Sequence, residues 1–225
     1  MHHQRIIPAI IPQSLEHITK SAYTLKDVVS EVQIDIVDGV FVSEKSWPYR
    51  EENSHIESLT NTLPEGMRHE LDLMISEPRD RMSLWLSTAP TRIIIHIESL
   101  PDDAAVLEAV LMIQEAKVSA VLSAQNDTPL ERILALGDRI DGVQCMGISE
   151  IGVQGNPFDE RVLARIREIH AAHPELPISV DGSVSVHTLD RLIEAGATRF
   201  AVGSAIFNAP DPVAAYLDLE SRAHA

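Results

Sequence analysis

Three aspartates interrupt short apolar runs of this 225-residue chain close to the C-terminal ends of those runs. Asp35 lies in Val32-Gln33-Ile34-Asp35-Ile36-Val37, Asp72 in Glu70-Leu71-Asp72-Leu73-Met74, and Asp181 closes Ile178-Ser179-Val180-Asp181 before Gly182-Ser183. In an extended strand, residues two apart share a face. Gln33 and Asp35 therefore point one way while Ile34 and Ile36 point the other, and Glu70, Asp72 and Met74 share a face in the same manner. A carboxylate facing an apolar interior is costly unless it meets a cation, a partner or a substrate. Proton transfer and metal ligation are the chemistries that such residues serve. Asp38, directly before Gly39, reads instead as a turn or capping residue.

Backbone groups that suit an anion complete the pattern. Gly203-Ser204 falls where the run Arg199–Gly203 gives way to a helical segment, and N–H groups at a helix start favour phosphate. The loop Gly152-Val153-Gln154-Gly155 adds flexible backbone after the sixth run. His96, near the end of Arg92–Ile97, reads equally as a satisfied core histidine or a substrate contact. Cys145 reads as a small buried residue. Trp47-Pro48-Tyr49 reads as a lid or as an oligomer contact. His2 and His3 fall in a stretch read as a disordered start rather than as a metal site.

These residues need a scaffold that gathers strand ends. Eight short runs rich in Val and Ile provide one: Ile6–Ile11, Val32–Val37, His69–Ile75, Arg92–Ile97, Ser119–Ser123, Gly142–Ile148, Ile178–Asp181 and Arg199–Gly203. Such runs suit parallel strands buried on both faces. Helix signals lie between them. Thr128-Pro129-Leu130-Glu131 offers an N-cap, a first-position proline and a first-turn carboxylate. Asp159 can cap the segment that reaches His170, and Leu189, Leu192 and Ile193 share a face that ends at Ala195-Gly196. The expected fold is α/β: one (β/α)8 barrel over residues 1–225, with its site at the C-terminal strand ends and anion loops after strands 6, 7 and 8. An open doubly wound sheet is the alternative, but it would have fewer strands, and no G-x-G-x-x-G turn is present.

Composition narrows the partners. Lys plus Arg number 18 against 34 Asp plus Glu, a formal charge of -16. That disfavours nucleic acid and anionic membrane surfaces, so an anionic substrate must be held by local backbone dipoles. Hydrophobic residues make up 44% and aromatics only 4%, so aliphatic side chains must fill the core. One cysteine permits no internal disulfide, which is consistent with a reducing cytoplasm. The N-terminal apolar run is too short for a membrane span.

The segments Ile7-Pro8-Ala9-Ile10, Asp35-x-x-Asp38-Gly39-x-Phe41-Val42, Leu71-Asp72-Leu73-Met74, Thr128-Pro129-Leu130-Glu131, Val180-Asp181-Gly182 and Gly203-Ser204-Ala205-Ile206-Phe207 together resemble the ribulose-phosphate 3-epimerase family, in order along nearly the whole chain. The resemblance implies epimerisation at C3 of a small phosphorylated sugar, ribulose 5-phosphate to xylulose 5-phosphate, through an enediolate. It implies Asp35 and Asp181 as the proton-transfer pair, one divalent metal, and an oligomer of identical subunits. The phosphate grip would be Gly152–Gly155, Gly182-Ser183 and Gly203-Ser204. The chain departs from the family at five places. The family's first-strand serine is Ala9. Two metal-binding histidines are replaced by Gln33 and Asp72. The Gly-Phe-Gly-Gly loop is Gly152-Val153-Gln154-Gly155, and a glycine pair is Gly182-Ser183. The implied metal set becomes Gln33, Asp35, Asp72 and Asp181, an all-oxygen shell that suits Mg2+ or Mn2+ better than Zn2+. Without a cation, three carboxylates would repel and one would retain a proton. Two other readings are carried forward. One is a non-catalytic sugar-phosphate-binding relative. The other is a barrel aldolase or decarboxylase, which typically needs a lysine at the third strand end, and no lysine lies near Asp72.

Overall fold

The computed structural model describes residues 5–51, 55–152 and 155–224. His2, His3, Val153 and Gln154 therefore lie outside the described residues. Eight parallel strands close into a barrel in the order β1 through β8. They are β1 Arg5–Ile10, β2 Glu31–Val37, β3 Arg68–Met74, β4 Arg92–His96, β5 Ser119–Ala124, β6 Gly142–Met146, β7 Ile178–Asp181 and β8 Arg199–Val202. Each matches an expected run to within two residues. Closure leaves no sheet edge, and the helices outside and the side chains filling the lumen bury the two faces of the strands.

Helices cover the outside: α1 Leu15–Thr24, α2 Met82–Leu86, α3 Asp103–Glu115, α4 Leu130–Leu136, α5 Arg161–Ala172, α6 Leu189–Ala195, α7 Ser204–Phe207 and α8 Pro212–Ala223. Their starts follow local chemistry. The Ser14, Asp102 and Asp211 side chains accept backbone N–H bonds at the starts of α1, α3 and α8. Asp159 accepts the N–H of Arg161 at 3.1 Å where α5 begins. α6 ends at Gly196 in the left-handed region (φ 114°), as the glycine signal indicated. The expected cap at Thr128 is corrected. Pro129 is the cap of α4, and the Thr128 hydroxyl donates to the Glu98 carboxylate instead. A long-range acceptor has taken the hydroxyl that would have capped locally.

The apolar core lies between sheet and helices, where Ile34, Ile36, Leu71, Leu73, Ile93 and Ile95 pack against helix residues such as Val106, Ile113, Ile166 and Leu192. Trp47 belongs to this core at 1% exposure. The lid or oligomer role considered for it is thereby corrected; Tyr49 beside it is half-buried and stacks under Arg81, 5.6 Å from guanidinium carbon to ring centre.

The lumen is different. Its N-terminal end holds Glu31, Glu70, Arg92 and Arg199, all in the first three residues of their strands. Arg199 Nη2 lies 2.6 Å from Glu70 and 3.4 Å from Glu31, and Arg92 bonds Glu70 and the Ser179 hydroxyl at 3.4 and 3.3 Å. Burial alone pushes the Glu31 carboxyl up, but the Thr91 hydroxyl and the Arg199, Arg5 and Arg68 charges outweigh it and hold it below its ordinary value. An ion cluster, not aliphatic packing, closes this end of the barrel.

Candidate active site

The opposite end of the lumen carries the aspartates. Register brings Asp35 and Asp72 side by side on neighbouring strands β2 and β3. Asp181 ends β7, opposite Met146 and Ala201 of its neighbours. One oxygen from each of Asp35, Asp72 and Asp181 lies within 4.8 Å of the others. Gln33, inward like Asp35, donates from Nε2 to Asp35 Oδ1 at 2.8 Å and to Asp181 Oδ2 at 2.9 Å. One amide thus straddles both carboxylates. The structure brings together all four residues expected around a metal.

Asp72 is held from the other side. His96 Nε2 lies 3.1 Å from its Oδ1, and Gln144 Nε2 donates to its Oδ2 at 2.8 Å. Both His96 and Asp72 are fully buried. His96 is thus a partner of Asp72, with the Phe41 ring 5.6 Å away. Gln144 was missed by sequence reasoning. Its signal was present: Val143-Gln144-Cys145 alternates, and a glutamine inside a buried run needs a partner.

Electrostatics follow from burial and crowding. Burial, then the Asp181 and Asp72 charges, push the Asp35 carboxyl well above its ordinary range, and the Gln33 bond pulls back only in part. Asp181 is pushed up to about 7 by burial and Asp72, against the bonds from Gln33 and Gly182. Burial disfavours a charged His96, but Asp72 outweighs it and raises the imidazole. Cys145 is buried, its thiol pushed up to about 12, and so is no nucleophile.

These raised values predict how stability varies with pH. A carboxyl raised on folding stabilises fully below its unfolded value of about 4 and loses that contribution as pH rises through the folded value. The metal-free protein is expected to melt roughly 3–6 °C lower at pH 8 than at pH 5.5. A divalent cation, competing with those protons, should erase most of the fall. Scanning calorimetry at both pH values, with chelator or Mn2+, tests this; a flat profile without metal overturns it.

A cleft above the aspartates is walled by Met74, Met146 and Ile148 and reaches Gly155, Gly182, Ser183, Gly203 and Ser204. The described members of the expected anion loops therefore share one cavity with Asp35 and Asp181. Ser183 takes the left-handed conformation (φ 53°), and its hydroxyl donates to the Asn156 carbonyl. A serine replaces glycine here while keeping a glycine-like backbone, so the N–H groups need not turn away. Gly152, with φ 82°, packs on Val42; a Cβ there would lie 2.7 Å from Val42 Cγ2. The loops after β2 and β6 thus meet beside the cleft. Asp38 is a turn residue as expected, accepting from Val40, Phe41 and Ser76 N–H groups.

A closed parallel (β/α)8 barrel with buried acids and glycine loops at the C-terminal strand ends has the layout of a barrel enzyme, whose sites form at that end. The ribulose-phosphate 3 epimerase family model matches residues 5–207, and the chain belongs to that family. It is 25% identical to the ribulose-phosphate 3-epimerase of Mycobacterium bovis over 224 residues, 98% of this chain and 93% of that protein. It is 29% identical to the Bacillus subtilis ribulose-phosphate 3-epimerase over 191 residues, 80% and 81% of the two chains. A solved 3-hexulose-6-phosphate synthase superposes with a TM-score of 0.73 at 19% identity, covering 98% of this chain and 99% of that one, a likeness of fold. No helix among the described residues is long and apolar enough to cross a membrane.

The acidic cluster could hold a metal ion. Besides the three carboxylates, Gln33 Oε1 is buried without a hydrogen-bond partner. Rotation of that amide would turn an oxygen toward the carboxylates, so the donor set fits a cation.

Proposed function

We propose that this chain is a ketose-phosphate 3-epimerase of the ribulose 5-phosphate/xylulose 5-phosphate type, with Asp35 and Asp181 transferring protons at opposite faces of C3. The observation that carries this is the Gln33 amide bonded at once to both carboxylates, each with raised proton affinity, beneath a cleft that runs to the glycine loops. Epimerisation needs one ionised base and one protonated acid at the same moment. Two crowded, buried carboxylates favour that mixed state over double ionisation.

Asp35 takes the C3 proton from one face, leaving an enediolate; Asp181 delivers a proton to the other face, which inverts the centre. While no cation is bound, Gln33 donates to both carboxylates and fixes their spacing. The walls of Met74, Met146 and Ile148 exclude water from the planar intermediate. Gly182-Ser183 and Gly203-Ser204, with the loop Gly152–Gly155, hold the phosphate through backbone N–H groups, which suits a cleft lined by no Lys or Arg among the described residues.

A divalent cation would be held by Asp35, Asp72, Asp181 and the rotated Gln33 amide, and when bound it supplies Lewis-acid stabilisation of the substrate oxygens. An all-oxygen donor set favours Mg2+ or Mn2+ over Zn2+. The test is deuterium incorporation at C3 of ribulose 5-phosphate in D2O. Exchange should vanish with chelator and return with Mn2+ or Mg2+ more fully than with Zn2+. Binding without exchange under every metal condition would overturn the proposal.

A further inference from the structure

We propose that a second cavity, adjoining the catalytic cleft across Ala9, Ile11 and Gly152, binds a second anionic group of the substrate, beyond the phosphate held at Gly182-Ser183 and Gly203-Ser204. The proposal deepens the epimerase reading and rests on it. The cavity measures about 290 Å3 and shares those three residues with the cleft above Asp35 and Asp181. At Ala9 the shared wall is no taller than a methyl group.

Its polar lining is unlike that of the cleft. In a chain of charge -16, the cleft is bordered by Asp35 and Asp181 and by no cation among the described residues. The neighbouring cavity is bordered by Lys45, Arg50 and His17, together with the amides of Gln13 and Asn208. Glu44 is the one carboxylate there, and it is exposed. Two cations against one solvated carboxylate leave a local excess of positive charge.

The donors are positioned by the fold rather than loose. A Cβ on Gly39 would lie 2.6 Å from Lys45 Cε and 2.7 Å from its Cγ, so the lysine stem lies across a bare α-carbon. The backbone bridge from Asp38 to Lys45 fixes the root of that stem. Arg50 donates to Gln13 Oε1, which anchors one edge of its guanidinium. His17 Nδ1 accepts the N–H of Gln13 at 3.1 Å, which places the imidazole proton on Nε2 as a further donor. Burial, then Lys20, lowers the His17 proton affinity, so it acts as a neutral donor.

The chemistry of the occupant follows. A ketose held by its C5 phosphate at Gly182-Ser183 and Gly203-Ser204, with C3 between Asp35 and Asp181, extends C1 away from those two strand ends. A phosphate or carboxylate on that end would be met by Lys45, Arg50 and His17 through charge-assisted bonds. The ligand class is a ketose phosphate with a second anionic group.

Isothermal titration at low ionic strength, with ribulose 5-phosphate and ribulose 1,5-bisphosphate as probes, tests this on the wild type and on Lys45→Gln/Arg50→Gln. Both substitutions are at exposed positions and leave the aspartates intact. The bisphosphate should bind the wild type at least tenfold more tightly than the double variant. Monophosphate affinity should change less than twofold. Bisphosphate affinities within threefold of each other overturn the inference. So does an equal loss for the monophosphate, because the single phosphate would then occupy this cavity itself. Failure of the epimerase reading shows separately, as absent C3 deuterium exchange in both proteins.

Discussion

Asp181→Asn is expected to abolish epimerisation while leaving the barrel as stable as before or slightly more so. The asparagine keeps an oxygen to accept the Gln33 N–H bond that Asp181 accepts at 2.9 Å. It removes one of three crowded negative charges, which relieves the repulsion that pushes Asp35 up. Loss of a positioned acid or base costs about 10²–10⁴-fold in rate. Because the proposed pathway uses a group on each face, deuterium wash-in at C3 should outlast epimerisation in this variant: Asp35 can still remove and return a proton on its own side. Circular dichroism and the melting temperature report the fold, and nuclear magnetic resonance of the substrate in D2O reports each face. Near-normal epimerisation by a folded variant would remove Asp181 from the mechanism.

Arg199→Met is expected to have the opposite profile, a large loss of stability with unchanged turnover per folded molecule. Arg199 is the nearest cation to Glu70 at 2.6 Å and also approaches Glu31 at 3.4 Å, and both carboxylates are almost fully buried. Removing one partner of a buried ion group leaves an uncompensated charge, at a cost of about 3–5 kcal/mol. For a chain of this length that lowers Tm by on the order of 10 °C. A second variant carrying Glu70→Met as well should recover only part of the loss, since it removes the stranded Glu70 charge but leaves Arg92 with the Ser179 hydroxyl alone. A single variant that melts within about 2 °C of wild type would show that the cluster is solvated enough to tolerate the gap.

Much of this arrangement was legible in the sequence because two signals reinforce each other. Val- and Ile-rich runs located all eight strands, and alternation within them placed Gln33, Asp35 and Asp72 in the lumen. Asp181 and the glycines fell where strand passes to loop, which is where barrel sites form. The hidden parts depend on register between strands. Nothing local in Ile95-His96-Ile97 says that its imidazole meets Asp72 on the adjacent strand, or that Gln144, 72 positions further on, meets the other oxygen. The ion cluster was hidden for the same reason. Glu31, Glu70, Arg92 and Arg199 each look like an ordinary charged residue opening a strand, and only closure turns them toward one another. Trp47 was misread because a loop position gives no hint of burial when the loop folds back onto the outer wall.

The lumen described above carries hydrogen-bonded and charge-paired groups at both ends, Glu70 at one and Asp181 at the other, and this constrains how such a protein can change over generations. Core positions between sheet and helices, such as Ile93 or Val106, accept volume-conserving substitutions one at a time, each at a modest cost. Lumen positions do not. A first change at Glu70, Arg199, Asp72 or His96 strands its partner, so the intermediate is worse than either endpoint. Lineages can drift freely on the outside while lumen residues move only in linked sets or after a stabilising change elsewhere has made room. The pair Asp72 and His96 is one such linked set, a unit that would be gained or lost together.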